Sequence, residues 1–110
     1  MKTRLLILSM LVLAVFIQNG RTADARELWD KNCASCHGKD GKGDTKMGKK
    51  VNVKDYTDPK FQAEFKDDKA IKTIKAGINE NGTERMKAYG DKFSDDEIKA
   101  LIAHIRTFKK

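Results

Sequence analysis

The sequence predicts one small all-α domain. Three observations carry that prediction. A capping box, Ser94-Asp95-Asp96-Glu97, opens a run in which Ile98, Leu101, Ile102, Ile105 and Phe108 recur at three- and four-residue steps. Asp58-Pro59 is a helix start, since Asp caps free amides and Pro is tolerated in the first helical position. Between these runs no stretch alternates apolar and polar residues for long enough to make a strand.

The first 25 residues read as a secretory leader. Lys2 and Arg4 precede an apolar run from Leu5 to Ile17, and the segment ends Ala23-Asp24-Ala25, an A-x-A pattern that places cleavage after Ala25. A run of 13 is short for the ~20 residues of a membrane span, so no stable membrane insertion is expected once the leader is removed. The expected domain is then 26–110, exported to the periplasm. Lys2, Arg4, Arg21 and Asp24 account for +2 of the formal +7, leaving +5. From Arg26 onward only 14 of 85 residues are Leu, Ile, Val or Phe. A content below about 20% is normally too little to fold alone, yet the helix signals are clear. A component beyond the amino acids is expected to complete the core.

In chain order, Arg26 to Cys36 reads as a helix, with Leu28 and Trp29 on its apolar face. His37 to Thr57 alternates glycines with lysines and reads as loop, with Val51 and Val53 at most two residues of extended chain. A short helix follows from Pro59 to about Lys66. Asp67-Asp68 opens another, with Ala70, Ile71, Ile74 and Ile78 on one face and Gly77 near its stop. Asn79 to Gly90, rich in Asn and Gly, reads as loop and contains Met86. The capping-box helix closes the chain, with acidic residues at its start and Lys109-Lys110 at its end to suit the helix dipole.

The chemistry is concentrated in Cys33-Ala34-Ser35-Cys36-His37. This is the attachment signature of a c-type haem. Thiols three residues apart on a helical turn lie on one side and reach two vinyl groups along one porphyrin edge, which directs His37 at the iron. The rival readings are weaker. A Cys33–Cys36 disulfide closes a very small loop and stabilises little. A thioredoxin-like pair needs a preceding strand, and a zinc site finds only His104 as a fourth ligand. For the sixth iron position there are Met47, Met86 and His104. Met47 lies ten residues after His37, in a loop that would have to cross the haem plane. Met86 lies 49 residues on, after two helices, in a polar segment where no core calls for it. Met86 is therefore the expected sixth ligand, and His104 is expected to pack near Trp29.

These residues resemble a class I, monohaem cytochrome c of the small bacterial periplasmic type. The resemblance rests on Leu28-Trp29, on Cys33-Ala34-Ser35-Cys36-His37-Gly38 and on Asp40-Gly41-Lys42-Gly43. It extends to Met86 and to Phe93 through Arg106. It implies a small cytochrome c fold with N- and C-terminal helices crossing near Trp29 and His104. One haem c is implied, covalent through Cys33 and Cys36, with His37 and Met86 as axial ligands. The chain departs from many members by having Lys87 directly after Met86. It also has no proline between His37 and Pro59, so some other carbonyl is expected to orient His37.

The expected function is one-electron transfer between periplasmic or membrane redox partners, by a monomer rather than a substrate-transforming enzyme. Lys39, Lys42, Lys46, Lys49 and Lys50 suggest a positive rim for partners with acidic docking surfaces, such as an oxidase, reductase or dehydrogenase. Lys54 and Tyr56 are candidates for the propionates. Nucleic acid is not an expected partner, because no recognition motif accompanies the charge. Two alternatives stand beside this reading: a haem-c subunit docked permanently to a dehydrogenase, and a ligand-binding or peroxidase-like haem protein if Met86 does not ligate.

Overall fold

A computed structural model describes residues 20–110. The leader expected from the sequence lies outside these up to residue 19, and its last residues belong to the first helix. In chain order the elements are α1 (Gly20–Asn32), α2 (Ala34–His37), α3 (Lys46–Val51), α4 (Pro59–Glu64) and α5 (Asp67–Ala76). They continue with β1 (Ile78–Glu80), β2 (Thr83–Met86) and α6 (Asp95–Arg106).

The helix expected over Arg26–Cys36 is present in two sections that bend at Cys33. The helical path is carried through the bend by Cys33 N bonding Trp29 O at 2.8 Å and His37 N bonding Cys33 O at 2.9 Å. At the other end of the chain the capping box forms as expected. Ser94 Oγ accepts from Glu97 N at 3.2 Å, and Glu97 Oε1 accepts from Ser94 N at 2.9 Å. The apolar stripe of α6 is buried at Ile98, Leu101, Ile102 and Ile105, and it packs on α1 and α5. Trp29, Ala70, Ile74 and Phe93 complete the core.

Asp58 caps α4 by accepting from Lys60 N at 2.9 Å, with Pro59 at the first position. A buried amide then ties α4 to α6. Gln62 Nε2 donates to Tyr56 O at 2.7 Å and to Ile105 O at 2.9 Å, so a polar side chain inside the domain has partners on both sides. Arg106 closes the same seam from outside, reaching Phe65 O at 2.8 Å and the Asp67 carboxylate at 2.7 Å.

Two expectations are corrected. Within the segment read as loop, Lys46–Val51 is a helix, and Val51 closes it instead of lying extended. Six residues are too few for a periodic signal, and this turn is held by a cap and a tertiary contact. Thr45 Oγ1 accepts from Gly48 N at 2.8 Å and donates to Cys36 O at 2.7 Å, while Gly48 passes so close to Cys36 O that a Cβ would collide with it. The fold is also not purely helical. Asn79–Gly90 contains an antiparallel hairpin, with Ile78 opposite Met86, Asn79 opposite Glu84, and Glu80 opposite Thr83. Its turn uses Asn81 and Gly82, both at positive φ, as a two-residue hairpin turn requires. The strands carry almost no apolar residues, so alternation could not announce them.

Candidate functional site

The turn that carries Cys33, Cys36 and His37 is held from several directions. The Trp29 indole Nε1 donates to Gly38 O at 2.9 Å, Gly43 N donates to His37 O at 2.8 Å, and Thr45 holds Cys36 O. Trp29 is buried and thus joins the α1–α6 packing directly to the end of the cysteine–histidine motif. Both cysteines are free and half-buried. Burial, and secondarily the neighbouring Cys36, pushes the Cys33 thiol up to about 11. At neutral pH it is a protonated thiol, the opposite of the depressed pKa that marks a reactive redox cysteine.

The His37 ring packs against two aromatic side chains that also touch each other. Its centroid is 5.5 Å from Trp29 and 4.9 Å from Tyr56, the latter stacked at 24°. Burial lowers its pKa to about 4, so the imidazole is neutral at physiological pH and keeps a lone pair for a metal. No carbonyl orients it, contrary to the expectation. Nδ1 is buried without a hydrogen-bond partner, and the ring stacks on Tyr56. Burial, with a smaller contribution from Cys33, pushes the Tyr56 phenol up to about 12.

A cavity of about 540 Å³ opens beside this turn, within the ~300–1,000 Å³ typical of cofactor sites. Its wall is largely apolar and aromatic: Trp29, Tyr56, Phe61, Phe65, Ile74, Phe93, Leu101 and Ile105. Cys33, His37 and Met86 all face it. Met86 reaches it because α5 stops at Gly77 and the hairpin returns the chain. Gly77 has φ +71°, and a Cβ there would stand 2.5 Å from Met86 O, so only glycine allows this approach. Met86 also packs against the core, which its polar sequence neighbourhood did not suggest.

Other candidates fall elsewhere. Cys36 is half-buried next to the cavity without lining it. Met47 is 46% exposed on α3, away from the cavity. Lys39, Lys42, Lys46, Lys49 and Lys50 are exposed, Lys49 pairing with Asp44 at 3.0 Å. Lys54 and Tyr56 both line the cavity, together with Lys60 of α4, Lys66 just before α5 and Lys69 of α5. Sequence reasoning missed these last three, because a lysine on a short helix carries no signal of what it faces.

His104 sits as expected, its ring 5.6 Å from Trp29 and 5.0 Å edge-on from Phe108. Burial lowers its pKa, outweighing the opposing charge of Asp30, and Arg26 adds to the lowering. The unfolded chain therefore binds this proton more readily than the folded one. The stability due to neutral His104 is complete above its unfolded value of 6.5 and is lost as pH falls towards the lower folded pKa. His104→Gln should flatten the fall in melting temperature on that acid side, measured by thermal denaturation at a series of pH values.

The donor set fits a c-type haem. One thiol, a neutral imidazole with a free lone pair and a thioether converge on one apolar cavity, and the second thiol stands one turn from the first. Known proteins agree. A family model for cytochrome c oxidase, cbb3-type, subunit III matches residues 20–105. The cbb3-type cytochrome c oxidase subunit FixP of Azorhizobium caulinodans is 36% identical over 81 residues, which are 74% of this chain. The matched region is 25% of that relative, so the chain spans about a quarter of its length. Among solved structures, the KustC0563 c-type cytochrome superposes with TM-score 0.67 at 31% identity, over 78% of this chain and 98% of the other. A tyrosine-to-phenylalanine mutant of that cytochrome gives TM-score 0.69 at 31% identity, with 78% and 99% covered. The chain belongs to the cytochrome c oxidase, cbb3-type, subunit III family and is a small monohaem cytochrome c-like domain.

Proposed function

We propose that the protein is an exported one-electron carrier holding one haem c through Cys33 and Cys36, with His37 and Met86 as axial ligands. The observation that carries this reading is the convergence of Cys33, His37 and Met86 on one apolar cavity, although Met86 is 49 residues from His37. Haem c supplies a one-electron couple when bound. The chain does the rest. His37 offers a neutral nitrogen from a ring held by Trp29 and Tyr56. Met86 offers a soft thioether that favours the reduced metal and raises the potential. The aromatic wall excludes water and disfavours the extra charge of the oxidised form. His37 and Met86 would together hold the iron from the chain, which would leave a small substrate no position on it.

Lys54, Lys60, Lys66 and Lys69, which line the cavity, would supply the charges that pair with the propionates. The exposed lysines that follow His37 form the positive surface for acidic redox partners, with association slowing as salt rises. The carrier acts as a periplasmic monomer. No helix among the described residues is long and apolar enough to cross a membrane.

A second reading is favoured by the family and by FixP: the same domain could serve as the haem-c module of an oxidase assembly. Intact-mass analysis and absorption spectra of protein from a host that attaches haem test the first reading. The expected result is one haem mass added, with a weak long-wavelength charge-transfer band in the oxidised form that reports iron–thioether bonding. A bare polypeptide mass would sink both readings, and size-exclusion chromatography of native extract separates carrier from subunit.

A further inference from the structure

The segment from Met86 to Gly90 has no proline, and Lys87 and Ala88 are exposed, so its own sequence does little to fix where the thioether sits. Its position is set by ties on either side. Upstream, Arg85 pairs with Glu80 across the hairpin at 2.7 Å, and its Nη1 reaches Val51 O at 3.4 Å. Downstream, Tyr89 N donates to Ile74 O at 2.9 Å and Gly90 N to Lys75 O at 3.1 Å, fastening the chain to the end of α5. The Tyr89 ring stacks on Phe93 at 5.1 Å and 9°.

Two further bonds cross to the residue before the haem-attachment motif. The Tyr89 hydroxyl donates to Asn32 O at 3.0 Å. Asn32 is the last residue of α1, directly before Cys33, and its carbonyl is one of those a helix end leaves without an internal partner. Asn32 is itself held: its amide donates to Leu28 O at 3.0 Å, and its Oδ1 accepts from Lys92 Nζ at 2.8 Å. Burial, with smaller contributions from Cys33, Cys36 and Glu84, holds the Tyr89 phenol above its ordinary pKa, so it remains a donor at neutral pH.

We infer that Tyr89 is a positioning residue for Met86, its hydroxyl bond to the Asn32 carbonyl setting the span between the two ligand-bearing segments and holding the thioether on the iron against competing ligands. This rests on the proposed axial role of Met86. The bond joins residues 57 apart in sequence, three beyond one ligand and one before the attachment motif. Without it the Met86 segment is still fastened to α5, and its link to the residue before Cys33 is left to the exposed Lys92 bond alone. The population with Met86 released then rises, and any external ligand that needs the vacated position binds more tightly in proportion.

The test uses oxidised holoprotein titrated with imidazole at fixed pH, in three forms: wild type, Tyr89→Phe and Thr57→Val. The phenylalanine keeps the ring stack and removes only the hydroxyl. Thr57 is buried and donates to Asp55 Oδ1 at 2.6 Å without lining the cavity, so its loss reports general destabilisation. The iron–thioether band of the wild type tests the ligand assignment by itself, and its absence would overturn the inference together with that assignment. Given the band, Tyr89→Phe should bind imidazole roughly fivefold more tightly, the worth of one net hydrogen bond. Thr57→Val should melt at lower temperature with wild-type affinity. Equal imidazole affinity in Tyr89→Phe and wild type would overturn the inference, as would an equal gain in Thr57→Val.

Discussion

Made without its prosthetic group, as the Cys33→Ala/Cys36→Ala variant, the chain should lose most of its helical circular dichroism. The cavity of about 540 Å³ lies against the same residues that form the core: Trp29, Ile74, Phe93, Leu101 and Ile105. Without the group these side chains face water instead of a packing partner and lose both burial and dispersion contacts. The net stability of an ordinary domain is only about 5–15 kcal/mol, so such a loss is a large part of it. The remaining apolar content cannot offset it, since 14 Leu, Ile, Val and Phe in 85 residues leave little else to bury. The helices of the far wall, α4 and α5, should go first. The α1–α6 contact at Trp29 should persist longest, because it does not depend on the far wall. A fully helical, cooperatively melting apo form would refute the account.

Met86→Ala in the holoprotein should abolish the iron–thioether band and open one coordination position. Imidazole then binds without displacing a protein ligand, and the reduction potential falls by an appreciable fraction of the ~0.8 V that axial ligands span. Met47→Ala is the matched comparison. That side chain is exposed and off the cavity, so its spectrum and potential should stay at wild-type values. Truncating half-buried Met86 should cost less than the ~2–5 kcal/mol of a fully buried methionine. The covalent haem and the fold therefore remain, and spectral change is separable from unfolding. An unchanged Met86→Ala spectrum would return Met47 and His104 to contention and remove the basis for a closed iron site.

What could be read from the sequence was whatever is encoded locally. The cysteine–histidine motif, the Ser94 box and the Asp58-Pro59 start each state their own geometry within five residues. Met86 was singled out by its distance along the chain from His37, and the fold brings it to the same cavity wall. The rest depended on contacts between distant segments. Lys46–Val51 is a helix because Thr45 bonds the Cys36 carbonyl, which no window of the sequence contains. The hairpin depends on two residues at positive φ, Asn81 and Gly82, with polar strands that carry no alternation. The His37 ring is oriented by Tyr56, 19 positions away, rather than by a carbonyl. Lys60, Lys66 and Lys69 look like ordinary solvated lysines until α4 and α5 bring them to one opening.

The hairpin tip has a practical use. Asn81, Gly82 and Thr83 are exposed, and a Cβ at Gly82 would meet nothing within 4 Å. Tips of this kind accept added residues readily, and the fastening of the methionine segment at Tyr89 lies beyond it. A peptide tag, a surface linker or a new chain break grafted at this apex would leave the electron-carrying centre undisturbed. It offers a handle for attaching the protein to an electrode or a partner in a chosen orientation.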